Sequence, residues 1–139
     1  MLPHLRRRAA ETLAPLHTAL LSTCGPADIQ AAEVPCAARG LCLYVLLSQT
    51  SDLLFNIENH PAVVLSTAAW QVQGHACVLE RSAWPRGLDI ALLEQSQVGQ
   101  TQWRCLVEVR PARLHIFSGP HGPETLDFDA SGDICCETV

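Results

Sequence analysis

Lysine is absent from this 139-residue chain, and all nine of its basic residues are arginines. Without lysine the chain has neither a Schiff-base nucleophile nor the lysine of a phosphate-binding loop. Fourteen acidic residues outweigh the arginines and give a formal net charge of −5. Because general binding to nucleic acid needs a basic surface, we expect no nucleic-acid partner.

Long hydrophobic runs and motif-spaced cysteines are also missing. No apolar run reaches the about 18 residues of a membrane span, and Glu11, Pro15 and His17 interrupt the segment that follows the three arginines at 6–8. We therefore predict neither a membrane span nor a signal peptide, and a cytoplasmic location. The seven cysteines include no C-x-x-C pair. We predict small buried hydrophobes and no metal site. The absence of G-x-S-x-G argues against a hydrolase of that type.

Strand-like patterns dominate what is present. An apolar content of 48% suits one domain with a core, spanning residues 1–139. We predict a mostly β fold: a six- to seven-stranded antiparallel split barrel, a β-barrel with a few short helices. Residues 1–16 form an N-terminal helix in this prediction, and residues 118–139 form a polar C-terminal tail. The predicted strands cover residues 17–24, 28–38, 41–47, 62–68, 70–80, 103–111 and 113–117; short helices follow Thr50 or Ser51 and fall within 85–97.

Four short motifs occur in a fixed order. They read S-Q-T-S-D-L-L-F-N-I-E-N-H-P, A-V-V-L-S, W-Q-V-Q-G-H-A and V-E-V-R-P-A-R-L. In this order the chain resembles the FMN-binding split-barrel proteins, the group that includes pyridoxamine 5'-phosphate oxidase. The resemblance covers residues 17–117.

The resemblance implies a homodimer with two FMN sites at the subunit interface. Three segments would hold the flavin: the second strand along its ring, the loop after the apolar strand at its phosphate, and the Q-V-Q-G strand from the partner subunit. The implied contacts of these segments are, in turn, Glu33, Val34, Pro35 and Cys36; Ser48, Gln49, Thr50 and Ser51; and Trp70, Gln71 and Gln73.

The phosphate loop departs from the resemblance. That loop usually carries a basic pair, and here the pair falls on Asp52 and Leu53. A like charge about 4 Å from the phosphate opposes binding by roughly 4 kcal/mol at an effective dielectric of 20. A lost charge-assisted hydrogen bond adds roughly 1.5–3 kcal/mol. An arginine from elsewhere, such as Arg39, Arg81 or Arg104, can compensate.

Three functions follow from the resemblance and its departure. The first is an FMN-dependent oxidoreductase, for which no side chain is an obvious acid or base. The second is a split-barrel dimer that has lost flavin and acts as a non-catalytic binding or structural module. The third is a barrel that takes a deazaflavin or haem in the same cleft.

Two arrangements of side chains stay open at this stage. If the strand faces of Glu108 and Arg110 and of Gln71, Gln73 and His75 meet, they form a polar patch; otherwise they are solvated outer faces. Tryptophans at 70 and 103 are either interface anchors or core residues.

Overall fold

The computed structural model describes residues 2–88, 104–119, 122–129 and 134–138. This part of the chain forms eight strands and two α-helices, with a short 3-10 helix at Arg81–Ala83. The elements are α1 (Leu2–Leu13), β1 (Thr18–Gly25), β2 (Asp28–Arg39), β3 (Cys42–Ser48), α2 (Asp52–Asn59), β4 (Ala62–Ser66), β5 (Trp70–Leu79), β6 (Arg104–Gly119), β7 (Gly122–Phe128) and β8 (Ile134–Thr138).

All eight strands belong to one antiparallel sheet. Its order is β3-β2-β1-β4-β5-β6-β7-β8, and a further pairing of β3 with β6 closes the first six strands into a barrel. Strands β7 and β8 extend the sheet beyond the closure. The predicted mostly β fold, a small antiparallel split barrel with a few short helices, is confirmed.

The barrel interior is filled by the inward residues of alternating strands. On β5 the side chains of Trp70, Val72 and Ala76 are buried in the main core. Strand β3 is covered on both faces, as its continuous apolar run predicts. Its outward residues Tyr44 and Leu46 belong to a second, smaller apolar cluster.

The two helices cover different parts of the barrel. Leu5, Ala9 and Leu13 of α1 belong to the main core. Helix α2 begins after Ser51, whose side chain accepts a hydrogen bond from the backbone N–H of Leu53 at 3.1 Å. No helix in the described ranges is long and apolar enough to cross a membrane.

Several boundaries differ from the sequence prediction. The segments predicted at 103–111 and 113–117 form one strand, β6. A shift in the register between β5 and β6 lets the strand continue through Pro111. The region predicted as a polar tail contains β7 and β8, whose pairing continues from β6. Residues 85–88 are not helical, and the rest of the helix predicted within 85–97 lies outside the described residues, as does Trp103.

The prediction that the cysteines are buried is right for Cys36 and wrong for Cys24 and Cys77, which are exposed. Cys77 lies on the outward face of β5, where alternation along the strand leaves it beside polar residues. Among the described cysteines, Cys42 and Cys105 are half-buried and free of disulfides.

Candidate functional site

A cleft of about 500 Å³ opens on the outer face of the barrel. It is lined by residues 22–24 of β1, Ile29 of β2, residues 62–64 of β4, residues 73–75 of β5 and Ala112 of β6. We call it the outer cleft. Its walls are mainly apolar, so a ligand or side chain that enters it would be held by burial of apolar surface.

A β-bulge shapes one wall of the outer cleft. Gly74 pairs with Pro111 and Gln73 pairs with Arg113, so Ala112 is left unpaired. A Cβ atom at Gly74 would lie 2.6 Å from the carbonyl oxygen of Arg110. The glycine of Q-V-Q-G is therefore required because the β6 backbone passes too close for any side chain.

Beside the outer cleft, the polar faces of β5 and β6 meet. The patch left open by the sequence therefore forms, although Glu108 lies opposite Cys77 and not opposite a glutamine. The cross-strand pairs are His75 with Arg110, Gln73 with Arg113, and Gln71 with His115.

Strand β7 completes this patch with two further contacts. The Nδ1 atom of His115 lies 2.8 Å from the hydroxyl of Thr125, and Arg113 donates from Nε to Asp127 at 2.6 Å. The Thr125 contact fixes the imidazole ring, so a ligand would meet His115 through Nε2. The sequence analysis missed His115 as a site residue. The signal was the R-x-H spacing, which puts Arg113 and His115 on one strand face.

The second-strand residues that the resemblance implies fall on two sides of the barrel wall. Glu33 is exposed on the outer face, whereas Val34 and Cys36 belong to the main core and Pro35 is buried. Burial raises the pKa of the Cys36 thiol to about 12, so this thiol stays protonated near neutral pH. Of these four side chains, Glu33 alone is open to a ligand.

The loop between β3 and α2 carries three hydroxyl groups. The hydroxyls of Ser48 and Thr50 lie 3.1 Å apart, and the hydroxyl of Ser51 caps α2. Gln49 and Thr50 are exposed. In the pairing of β3 with β6, Ser48 lies directly opposite Arg104.

Of the three arginines considered as substitutes for the missing basic pair, Arg104 is the one beside this loop. Arg39 donates a hydrogen bond to the carbonyl of Arg86, and Arg81 stacks over the ring of Trp84 at 4.3 Å from its centroid. Arg39 pairs with Cys42, at the opposite end of β3 from Ser48, and Arg81 follows the end of β5.

The three residues of the Q-V-Q-G strand are placed differently from one another. Trp70 is a core residue, Gln71 is half-buried, and Gln73 lines the outer cleft. Gln73 lies opposite Arg113, and Ser48 of the hydroxyl loop lies opposite Arg104. The Q-V-Q-G strand and the hydroxyl loop are therefore separated by nine residues of β6, or about 30 Å along the strand. One chain does not bring them together around a single small ligand.

The polar patch continues along β6 to a second polar group, beside Tyr44 of the smaller apolar cluster. The hydroxyl of Tyr44 donates to Glu108 at 3.2 Å, and Arg110 donates to the same carboxylate at 2.8 Å. Burial, followed by repulsion from the Glu108 carboxylate, raises the pKa of Tyr44 to about 12. This phenol is a hydrogen-bond donor at neutral pH.

Because Tyr44 is the chain's one tyrosine, its titration can be followed by the ultraviolet band of phenolate. We expect a midpoint of about 12 in the folded protein and about 10 in urea. Since the folded-state pKa is the higher, the stability that depends on the neutral phenol is lost as pH rises between these two values. Glu108→Gln should lower the midpoint, and a folded-state midpoint of about 10 would contradict the observed burial.

Among the residues that the structure describes, no group of three or more His, Cys, Asp or Glu side chains could hold a metal ion. The candidate site consists of the outer cleft, the polar patch beside it and the hydroxyl loop near Arg104.

Comparison with known proteins supports the fold. No family model and no curated protein sequence matches the chain, but solved structures do. A pyridoxamine 5'-phosphate oxidase-related, FMN binding protein from Nostoc punctiforme PCC 73102 is 9% identical, with a TM-score of 0.61 over 99% of this chain and 95% of that one. General Stress Protein 26 from Bacillus anthracis is 20% identical, with a TM-score of 0.56 over 81% and 92%.

The similar structures differ in ligand. The heme storage protein HutZ from Vibrio cholerae is 17% identical, with a TM-score of 0.56 over 82% of this chain and 92% of that one. The chain therefore has the fold of the pyridoxamine 5'-phosphate oxidase-like split barrels, a fold that flavin binders and haem binders share.

Proposed function

We propose that the chain is an FMN-binding, flavin-dependent oxidoreductase that works as a homodimer in the cytoplasm, with residues 1–139 as one domain. The observation that carries this proposal is the placement of Arg104 opposite Ser48. Arg104 supplies a positive charge beside a loop that lacks the usual basic pair. The fold likeness to a protein described as FMN binding supports the choice of cofactor.

The hydroxyl loop fits a phosphate when Arg104 is counted with it. The hydroxyls of Ser48 and Thr50 are neutral donors, and the guanidinium would supply the charge-assisted hydrogen bonds. Asp52 opposes this from the first turn of α2. One arginine against one aspartate predicts weaker binding than a loop with two cations.

The polar patch suits the ring side of the cofactor and its substrate. Bound FMN would supply the hydride or electron transfer, and the protein would supply position and electrostatics. Gln71 and Gln73 are amide donors and acceptors, and the His115 imidazole can form a hydrogen bond through Nε2. Because these residues lie far along β6 from the hydroxyl loop, a partner subunit would have to complete each site.

Titration of the purified protein with FMN tests the proposal. We expect a yellow complex with a dissociation constant in the micromolar range, followed by flavin fluorescence. No binding at high micromolar FMN would remove the proposed cofactor. Haemin is titrated in parallel, and tight haemin binding together with no FMN binding would favour a haem protein instead.

The Arg104→Gln variant tests which residue meets the phosphate. Loss of a charge-assisted hydrogen bond of roughly 1.5–3 kcal/mol should weaken FMN binding by about 10- to 100-fold. Binding of riboflavin, which lacks the phosphate, should change little. Arg39→Gln is the matched control, and Asp52→Arg should strengthen FMN binding. An equal loss for both flavins would exclude the phosphate role.

The runner-up function is a split-barrel dimer that has lost flavin and serves as a non-catalytic binding or structural module. Leu53 favours it, because this side chain is only 7% exposed and cannot act as a ligand in place of a basic residue. A stable dimer without flavin or haem binding would be the result that selects it.

A further inference from the structure

A second cavity, of about 310 Å³, opens beside the last residues of β2. We call it the edge cavity. It is lined by residues 14, 16 and 17 before β1, residues 37–39 of β2, and residues 87 and 88 after the 3-10 helix. It is remote from the hydroxyl loop, because Arg39 pairs with Cys42 whereas Ser48 lies six residues further along β3, or about 20 Å.

The edge of β2 is open at this cavity. Strand β1 begins at Thr18, so in the described part of the chain the residues after Cys36 pair with β3 alone. The N–H of Cys36 donates to the carbonyl of His17 at 2.9 Å, on the β1 side. Because N–H groups alternate along an antiparallel strand, the N–H of Ala38 points to the same side, where β1 has ended. A backbone donor therefore faces the edge cavity.

Arg39 supplies a second donor group to the edge cavity. Its Nη1 atom donates to the carbonyl of Arg86, in the turn that continues into Gly87 of the cavity wall. This bond orients the guanidinium and leaves its other edge, formed by Nε and Nη2, without a bond to the described residues. Such an edge donates two parallel hydrogen bonds, and the two oxygens of a carboxylate accept them.

The rest of the lining combines one more polar group with apolar side chains. His17 contributes an imidazole, and none of the described lining residues is acidic, although the chain carries a net charge of −5. Leu16 and Leu88 contribute apolar surface. A ligand that fits this lining has one anionic end and an apolar body. A cavity of about 150 Å³ holds benzene, so the edge cavity has room for one ring and a carboxylate.

We propose that the edge cavity binds a small carboxylic acid. The carboxylate accepts hydrogen bonds from Arg39 and from the N–H of Ala38, and the apolar part of the acid lies against Leu16 and Leu88. A phosphate dianion fits less well, because a single guanidinium is present in the described lining and a dianion needs more positive charge. The site is separate from the proposed flavin site and does not depend on it.

Titration of the isotope-labelled protein with benzoate, followed by the amide signals in nuclear magnetic resonance spectra, tests the inference. We expect saturable shifts at Ala38, Gly87 and Leu88, with a dissociation constant of about 1 mM or tighter. Benzamide has the same ring without the charge, and inorganic phosphate has the charge without a ring. Each should bind at least about 10-fold more weakly than benzoate.

Arg39→Gln tests the carboxylate contact. Loss of the charged fork should weaken benzoate binding by about 10-fold or more. Arg104→Gln is the matched control: it removes an arginine at the hydroxyl loop and should leave benzoate binding unchanged. Thermal unfolding of both variants checks that the fold is kept.

Ala14→Trp separates binding inside the cavity from attraction to an exposed arginine. The added indole would fill the edge cavity while Arg39 stays in place, so benzoate binding should be lost. The absence of saturable shifts, equal binding of benzamide or phosphate, or benzoate binding that survives Arg39→Gln or Ala14→Trp would each overturn the inference.

FMN titration of the same proteins keeps this inference apart from the proposed function. Benzoate binding by a protein that binds no FMN would support the carboxylate site and remove the proposed cofactor. FMN binding by a protein that does not bind benzoate would overturn the carboxylate site alone.

Discussion

Replacing Arg8 with methionine should lower the free energy of unfolding by about 3 kcal/mol. Arg8 on α1 forms an ion pair with Glu124 on β7, and Glu124 is only 3% exposed. Within the described part of the chain, neither carboxylate oxygen has a hydrogen-bond partner apart from this ion pair. Removal of the arginine would leave a buried carboxylate without its cation, which is among the most costly changes a core can undergo.

Urea unfolding measures this loss, and a fall in the melting temperature of about 10 °C should accompany it. Arg7→Met is the matched control: Arg7 lies on the same helix and is exposed, so its loss should cost less than about 0.5 kcal/mol. The double variant Arg8→Met/Glu124→Leu should recover most of the stability, because an apolar pair can replace a buried ion pair. A double variant as unstable as the single one would show that helix packing, not charge, carries the effect.

The strands that could be predicted are those whose pattern is local. Alternation on β5 from Trp70 to Ala76 predicts which side chains face inward, and the continuous run in β3 predicts that both faces are covered. The sequence limits the cap of α2 to Thr50 or Ser51, and the structure has Ser51 in this position. Each of these signals needs only neighbouring residues.

The elements that the sequence misses depend on distant contacts. Pro111 predicts a break in the strand. The strand continues through it because Gly74, which has no side chain, lets the β6 backbone pass at close range. Strand β7 is rich in turn-forming and acidic residues, yet Leu126 and Phe128 are buried in the main core. Neither Gly74 nor Arg8 can be matched to its distant partner by periodicity alone.

The candidate site divides in the same way. The sequence identifies the hydroxyl loop and the Q-V-Q-G strand, but the neighbour of Ser48 on β6 is set by barrel closure. Among the three arginines considered, barrel closure decides that Arg104 is the one at the loop. His115 could not be identified from the sequence for a similar reason: its partner Thr125 lies on β7, whose composition does not predict a strand.

Asn56→Leu should also destabilise the fold by about 3 kcal/mol, and it should do so through the hairpin of β1 and β2. Asn56 is 0% exposed. Besides its two bonds to the hairpin backbone, at the N–H of Ala27 and the carbonyl of Asp28, its Nδ2 donates to the hydroxyl of Thr23 at 3.1 Å. A leucine would leave a buried N–H, a carbonyl and a hydroxyl without their partner, at about 1–3 kcal/mol for each group that water cannot reach.

Asn59→Leu is the control on the same helix. Asn59 is exposed and donates to the carbonyl of Phe55, so its replacement should cost less than about 0.5 kcal/mol. Hydrogen exchange should show faster opening of residues 25–28 in Asn56→Leu, since both bonds from this side chain to the turn are gone. Unchanged exchange in the turn would mean that strand pairing alone holds the hairpin.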